Sequence, residues 1–437
     1  MADPEYDAAQ QLKTLSIKRG TSNLLSESFD YDENGNIKET TSSQGNRSYT
    51  YDELNQLRSE TLPDGTIESY EYDAVGNRLK KTADKNGQSE TTTYTYNDNN
   101  QLTAVNGQSY TYDKSGNRKR DNRFIYEYDA FNELTMIKNL SGQVIATYKY
   151  DEQGRRVSKT VNGKTTNYHY DQGIQVLFET DDNGTITAEY SYDQSGFPLT
   201  MTKNGQTYYY VLNGHKDVVA LTDASGNVVA SYKYDAWGNV LSQSGEIAES
   251  NPYRYAGYRY DEESNLYYLI ARYYQASEGV FLSRDPDAGD INDSKTLNGY
   301  NYANNNPIMN YDPDGHLARA VAQILASIAS VAMKKLFDYG EEKAKKYLKK
   351  HLIPQIKKIT KHFKVIWNKK DHLIYVYDPT IKGSSGRLFA IEKGPAMYKN
   401  NKTGKKKKMS GYWHYHIGPT GHYQPSWAAP RGYTIIK

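Results

Sequence analysis

The chain has 437 residues, no cysteine, 33 glycines, 43 tyrosines against 9 phenylalanines, and a formal net charge of +2. That length admits two or more domains with sizeable cores, and the missing cysteine excludes disulfide stapling, thiol nucleophiles and thiolate metal sites. The near-zero charge is a cancellation: residues 317–437 hold 25 Lys+Arg and 6 Asp+Glu, net +19, which leaves −17 on residues 1–316.

The first residues show no charged region followed by an apolar stretch, so no signal peptide is read there. Residues 1–28 read as an N-terminal lead-in. From Phe29 onward one pattern returns about every twenty residues: Tyr-x-Tyr-Asp, a few polar residues, then Gly-Asn, Gly-Arg or a close variant. It stands as Tyr49-Thr-Tyr-Asp52, Tyr70-Glu-Tyr-Asp73, Tyr110-Thr-Tyr-Asp113, Tyr126-Glu-Tyr-Asp129 and Tyr148-Lys-Tyr-Asp151. Further copies are Tyr168-His-Tyr-Asp171, Tyr190-Ser-Tyr-Asp193, Tyr232-Lys-Tyr-Asp235 and Tyr258-Arg-Tyr-Asp261, with Tyr94-Thr-Tyr-Asn97 as a degenerate one. Tyr-x-Tyr places two rings on one face of a strand, and the Asp with the following Gly-Asn builds the turn into the return strand. One such hairpin cannot bury its own face, so the copies must stack into a long curled antiparallel sheet. The predicted fold is therefore a mostly β repeat shell over 29–250.

A denser aromatic segment follows over 251–316: Tyr253-Arg-Tyr-Ala-Gly-Tyr258, Asn265-Leu-Tyr-Tyr268, Ala271-Arg-Tyr-Tyr274, Phe281-Leu-Ser-Arg-Asp-Pro286, Tyr300-Asn-Tyr-Ala303 and Asn304-Asn-Asn-Pro307. It closes on Asp312-Pro-Asp-Gly315, a turn built from fixed φ, local side-chain bonding and tolerated positive φ. With the repeats, these motifs resemble the YD-repeat proteins of the Rhs and teneurin-like type, and 251–316 resembles the Rhs-associated core that ends their repeat array. The resemblance spans 29–316. It implies a β shell around a C-terminal toxic domain that varies between members, with tRNA as the implied substrate. It further implies secretion, association with the bacterial cell wall, action of the toxin in the target-cell cytoplasm, and an acidic immunity protein in the producing cell. The opposite charges of the two parts fit a containing role, since an acidic casing attracts a basic cargo and repels nucleic acid.

Related shells cut their own chain just after the Asp-Pro-x-Gly motif, using aspartates as an aspartic protease does. The matching positions are Arg284 and Asp285, with Asp312 as a positioning or second carboxylate, and the scissile bond is His316–Leu317. Two departures stand out: His316 occupies a position where the family carries Leu, and the residues after Asp285 lack the usual glycine spacing.

Residues 317–437 read as a small α+β domain, helical over 317–353 and a sheet with the active site over 363–437. The apolar stretch 317–333 would rise about 26 Å as a helix, short of the roughly 30 Å of bilayer hydrocarbon, so no stable membrane span is expected. Strand-like runs follow at 363–367, 373–377, 388–391, 412–417 and 433–436. This order of elements is similar to the fold shared by barnase, colicin-type ribonucleases and RelE toxins. Three of the nine histidines fall in Trp413-His-Tyr-His-Ile-Gly-Pro-Thr-Gly-His-Tyr423. His414 and His416, two apart, share one face of a strand, and the Gly418-Pro-Thr-Gly421 turn returns His422 toward them. Imidazoles titrating near neutrality suit transfer of a proton from a ribose 2′-hydroxyl and to a departing 5′-oxygen. Arg387 and Lys393 are candidate cations for the phosphate. Lys405, Lys406, Lys407 and Lys408, with Tyr412 and Trp413, offer a phosphate-gripping loop beside rings on which bases stack.

The reading is thus a ribonuclease that needs no cofactor. Two others stay open. His-x-His is also a metal-ligand spacing, so His414, His416 and His422 could serve a metal-dependent nuclease, with Asp371, Asp378 or Glu392 recruited as carboxylate. A non-enzymatic wall protein whose basic tail binds teichoic acid is the other.

Overall fold

A computed structural model describes residues 2–7, 11–19, 22–171, 173–193, 195–286 and 296–315, positions 346, 349 and 350, and five strands of the tail. The chain divides into two compact units, residues 1–318 and 319–437.

In the first unit, β1 (Ala2–Tyr6) through β11 (Gln108–Ser109) form one sheet and β12 (Thr111–Tyr112) through β25 (Val240–Ser244) a second, and in each the sheet order is the chain order. All described pairings are antiparallel, as a stack of hairpins requires. The sheet begins at β1, upstream of the first Tyr-x-Tyr-Asp motif: β2 (Leu12–Arg19) and β3 (Ser22–Tyr31) already pair in register. The expected lead-in 1–28 is therefore largely sheet. Its strands lack the tyrosine signature but keep the hairpin geometry.

The repeat works as its chemistry suggests. The first tyrosine of each motif is buried: Tyr70, Tyr126, Tyr148 and Tyr232 are examples. The second, on the same face, lends its ring to the core and, in several copies, its hydroxyl to a backbone carbonyl of the preceding strand. Tyr51 donates to Ile37 O at 2.7 Å, Tyr72 to Leu57 O at 2.8 Å, Tyr150 to Leu134 O at 2.7 Å and Tyr192 to Val176 O at 2.6 Å. The aspartate then caps the turn. Asp52 Oδ1 accepts from the Leu54 and Gln56 N–H groups at 2.9 and 2.8 Å, and Oδ2 from Gln56 Nε2 at 2.8 Å. Asp73, Asp113 and Asp235 repeat the same three bonds. Each such aspartate replaces water at backbone donors that the turn would otherwise leave unmade.

Arg78, Arg118 and Arg156, each after a turn, are buried among the rings instead of facing water. Arg156 lies over Tyr268 at 4.3 Å from the ring centroid and pairs with Asp261 at 2.5 Å, while Lys159 reaches the same carboxylate at 2.9 Å. Against the cost of burial, Arg156 and Lys159 hold the Asp261 carboxyl well below the usual range. Arg118 pairs likewise with Glu278 at 2.5 Å.

The described residues of the closing segment, 251–286 and 296–315, fold onto this wall. β26 (Arg259–Asp261), β27 (Leu266–Tyr268), β28 (Tyr273–Gln275) and β29 (Val280–Phe281) form a short sheet. Tyr255, Tyr267, Tyr274 and Tyr302 from this segment join Trp237 of the repeats in one buried cluster. Asn305 and Asn306 donate to the repeat turns, Asn305 Nδ2 to Gly76 O at 2.7 Å and Asn306 Nδ2 to Asn55 O at 2.8 Å.

In the second unit, β30 (Lys364–Trp367), β31 (His372–Tyr377), β32 (Arg387–Asn400) and β33 (Lys406–Ile417) lie in that order, and β34 (Tyr433–Ile436) pairs with β32. Each of the five strand-like runs read from the sequence overlaps one of these strands, with β32 and β33 much longer than expected. The helical expectation for 317–353 lies outside the described residues, apart from helical positions 346, 349 and 350. Among the described residues no helix is long and apolar enough to cross a membrane.

Candidate functional site

The closing turn of the first unit gathers charge around a residue that the sequence reading left without a role. Arg272, from Ala271-Arg-Tyr-Tyr274, places Nη2 2.7 Å from Asp285 Oδ2 and 3.2 Å from Asp312 Oδ2. Its Nη1 donates to Gly299 O at 3.0 Å and its Nε to Gly315 O. The Asp312 N–H donates to Tyr258 Oη at 2.9 Å, and Asp312 Oδ1 accepts from Gly315 N at 2.9 Å. The two aspartates singled out in sequence thus meet at one guanidinium. Burial raises the Asp312 carboxyl above its ordinary value while Arg272 opposes the rise. Gly315 sits at φ +77°, and a Cβ there would lie 2.6 Å from Leu269 O and 3.0 Å from Arg272 N, so only glycine fits beside this arginine. Arg284 is exposed; His316 and Leu317 lie outside the described residues.

In the tail sheet, strand register sorts the candidates into two alternating sets. One set is apolar and aromatic: Phe389 pairs with Ile417 and Val376, Ile391 with Tyr415 and Ile374, and these continue to Val365 and Trp367. The other carries the chemistry. Glu392 pairs with His414 on one side and His372 on the other, Ala390 pairs with His416 and Tyr375, and Gly394 pairs with Tyr412. Arg387 pairs with Tyr377 across a register shift, which brings it onto the set of Tyr375 and Ala390. Lys393 pairs with Trp413, which puts both on the alternate set from His414 and His416. Lys406, Lys407 and Lys408 lie in strand β33 opposite Lys399, Tyr398 and Met397. Lys405 and His422 lie outside the described residues.

The repeat wall, the closing segment and its arginine-bridged aspartates define a YD-shell. The family model "Teneurin YD-shell" matches residues 2–308, and the chain belongs to that family. It is 49% identical over 265 residues to a protein of Bacillus subtilis strain 168 named tRNA nuclease WapA, and 50% identical over 265 residues to the tRNA3(Ser)-specific nuclease WapA of Bacillus spizizenii. Each match covers 60% of this chain and 11% of the relative, so the chain spans about a tenth of those proteins' length. Among solved structures, the Photorhabdus luminescens Tc holotoxin pore with the mutation TccC3-D651A aligns at a TM-score of 0.62 with 20% identity, over 72% of this chain and 18% of that one. This likeness concerns the fold of the shell.

Proposed function

We propose that this chain is part of a secreted polymorphic toxin, in which the YD-shell holds a ribonuclease formed by residues 317–437. The observation that carries the reading is the kinship, at about half identity, with Bacillus proteins named tRNA nucleases, joined to a repeat-free unit of net +19 that suits a polyanion. tRNA is the proposed substrate. His414 and His416, with His422 from the following turn, exchange protons with the ribose 2′-hydroxyl and the leaving 5′-oxygen. Arg387 offsets charge on the phosphate, and Lys405 to Lys408 with Tyr412 hold the RNA; Lys393 and Trp413, on the alternate set, are left out of this role. Asp285 and Asp312 release the domain by cleavage at His316–Leu317. The protein leaves the producing cell, associates with the cell wall and acts in the cytoplasm of a target cell, while an acidic immunity protein protects the producer.

Expression of the whole chain in bacteria, followed by gels of total RNA, tests the reading. Discrete tRNA fragments, reproduced with purified tRNA in EDTA, are the expected result. Intact RNA in both settings overturns the ribonuclease, and activity that EDTA abolishes overturns the metal-free route. Release of a fragment of the tail's mass, lost in Asp285→Asn, is expected for self-cleavage; its persistence in that variant removes Asp285 from the reaction.

A further inference from the structure

The guanidinium of Arg272 contacts both aspartates of the proposed self-cleavage and, through Nε, the carbonyl of Gly315, the residue before His316 in the chain. It is buried, with Cζ 3.5 Å from the centroid of the Phe281 ring. Gly299 O ties the arrangement together, accepting from Arg272 Nη1 at 3.0 Å and from the Asp285 N–H at 2.8 Å. Beside it, the Ala271 N–H donates to Asp314 O at 3.1 Å. Residues 271 and 272 thus grip Asp285 and the stretch from Asp312 to Gly315 together. Two carboxylates brought to one point repel each other, and a cation between them removes that cost. A planar fork with donors on several edges can serve carboxylates and carbonyls at once, which the compact ammonium of a lysine cannot.

We propose that Arg272 is the positioning residue of self-cleavage, holding Asp285, Asp312 and the Gly315 carbonyl in one frame so that the aspartates act on the chain just past Gly315. The proposal rests on the self-cleavage reading and adds the residue that orders its parts. In that reaction one aspartate takes a proton from water, whose oxygen bonds to the His316 carbonyl carbon. The other gives a proton to the Leu317 nitrogen as the carbon–nitrogen bond breaks. The products are a carboxylate on His316 and a new amino terminus at Leu317. A guanidinium keeps its protons throughout such a step, so the part left to Arg272 is geometry and charge.

The test is a time course of fragment release by the 437-residue chain, every form carrying His414→Ala so that damage to host RNA does not intervene. The parent is expected to yield a tail fragment that begins at Leu317. Arg272→Ala should accumulate uncut, then cut at the same bond once millimolar guanidinium is added, while methylammonium at equal ionic strength has no effect. Arg272→Lys keeps the charge without the fork and should cut about 10²-fold more slowly than the parent. The proposal is overturned by an Arg272→Ala that cuts at the parental rate, by a folded Arg272→Ala that guanidinium leaves uncut, or by an Arg272→Lys that matches the parent. Should Arg272→Ala not fold, Gly315→Ala decides. It alters no charge, but its Cβ would lie 2.6 Å from Leu269 O, which displaces the Gly315 carbonyl from Nε; parental cutting in that variant overturns the proposal. A parent that stays whole is a different outcome, and removes the self-cleavage reading and this proposal with it.

Discussion

The shell and the tail sheet use the same residue types in opposite ways. In the shell, aspartate, tyrosine and arginine recur at fixed offsets, and each copy is consumed by structure: Asp52 caps a turn, Tyr51 ties a carbonyl, Arg156 neutralises Asp261. In the tail, His372, Glu392, His414 and His416 answer to no repeat. Register alone aligns them, on strands whose alternate positions are apolar or aromatic apart from Lys393. The contrast separates charges that hold the fold together from charges that the proposed reaction would use. Substitutions in the first group should cost stability, and substitutions in the second should cost activity.

The sharpest break of that division is expected at His414. His414→Ala should reduce tRNA cleavage by about 10²–10⁴-fold while leaving the thermal unfolding of the shell unchanged, measured by calorimetry on the same protein. A comparable loss of shell stability would erase the distinction. Arg156→Ala should do the reverse. It leaves Asp261 buried with Lys159 as its remaining close cation, and the loss of one partner of a buried pair costs about 3–5 kcal/mol, read as a lower urea midpoint.

A smaller effect probes where the first and second sheets meet. Glu27 Oε2 accepts from the Gly214 N–H at 2.8 Å, and burial pushes its carboxyl up to about 7 against that hydrogen bond. A carboxyl raised in the folded state keeps a proton that the unfolded chain loses, so its contribution to stability falls as pH rises from about 4.5 to about 7. Glu27→Gln should flatten this slope by about 1–3 kcal/mol, compared by urea unfolding at either end of the window. Smallest of all, Asp52→Ala removes three hydrogen bonds of one turn and should cost about 1 kcal/mol, because water replaces part of them at that half-exposed site.

What the sequence made legible follows the same division. Tyr-x-Tyr-Asp announces strand, face and turn within four residues, because a period of two and an aspartate cap are local chemistry. The hairpin wall and its dense closing segment could therefore be read directly. Arg272 could not be assigned a role in advance: its partners Asp285 and Asp312 lie 13 and 40 positions further on, and only the folded closing segment brings them together. Glu392 was visible only as a carboxylate that a metal might recruit, since its pairing with His414 depends on how two long strands align. The same register assigns Lys393 to the set opposite the imidazoles, a consequence of parity that no composition argument supplies. The strands before Phe29 went unread because they keep the hairpin without the tyrosines.

Because, among the described residues, each strand of the two large sheets has its sheet neighbours next to it in the chain, the wall can be assembled in the order in which the chain emerges. No early strand has to wait for a distant one to complete its ladder, so the loops that must close are short and their entropy is small. A polypeptide that crosses a membrane as an extended thread could raise this wall hairpin by hairpin on the far side. The same locality lets a hairpin be added or removed without rewiring the rest, which makes the length of the wall adjustable in single steps.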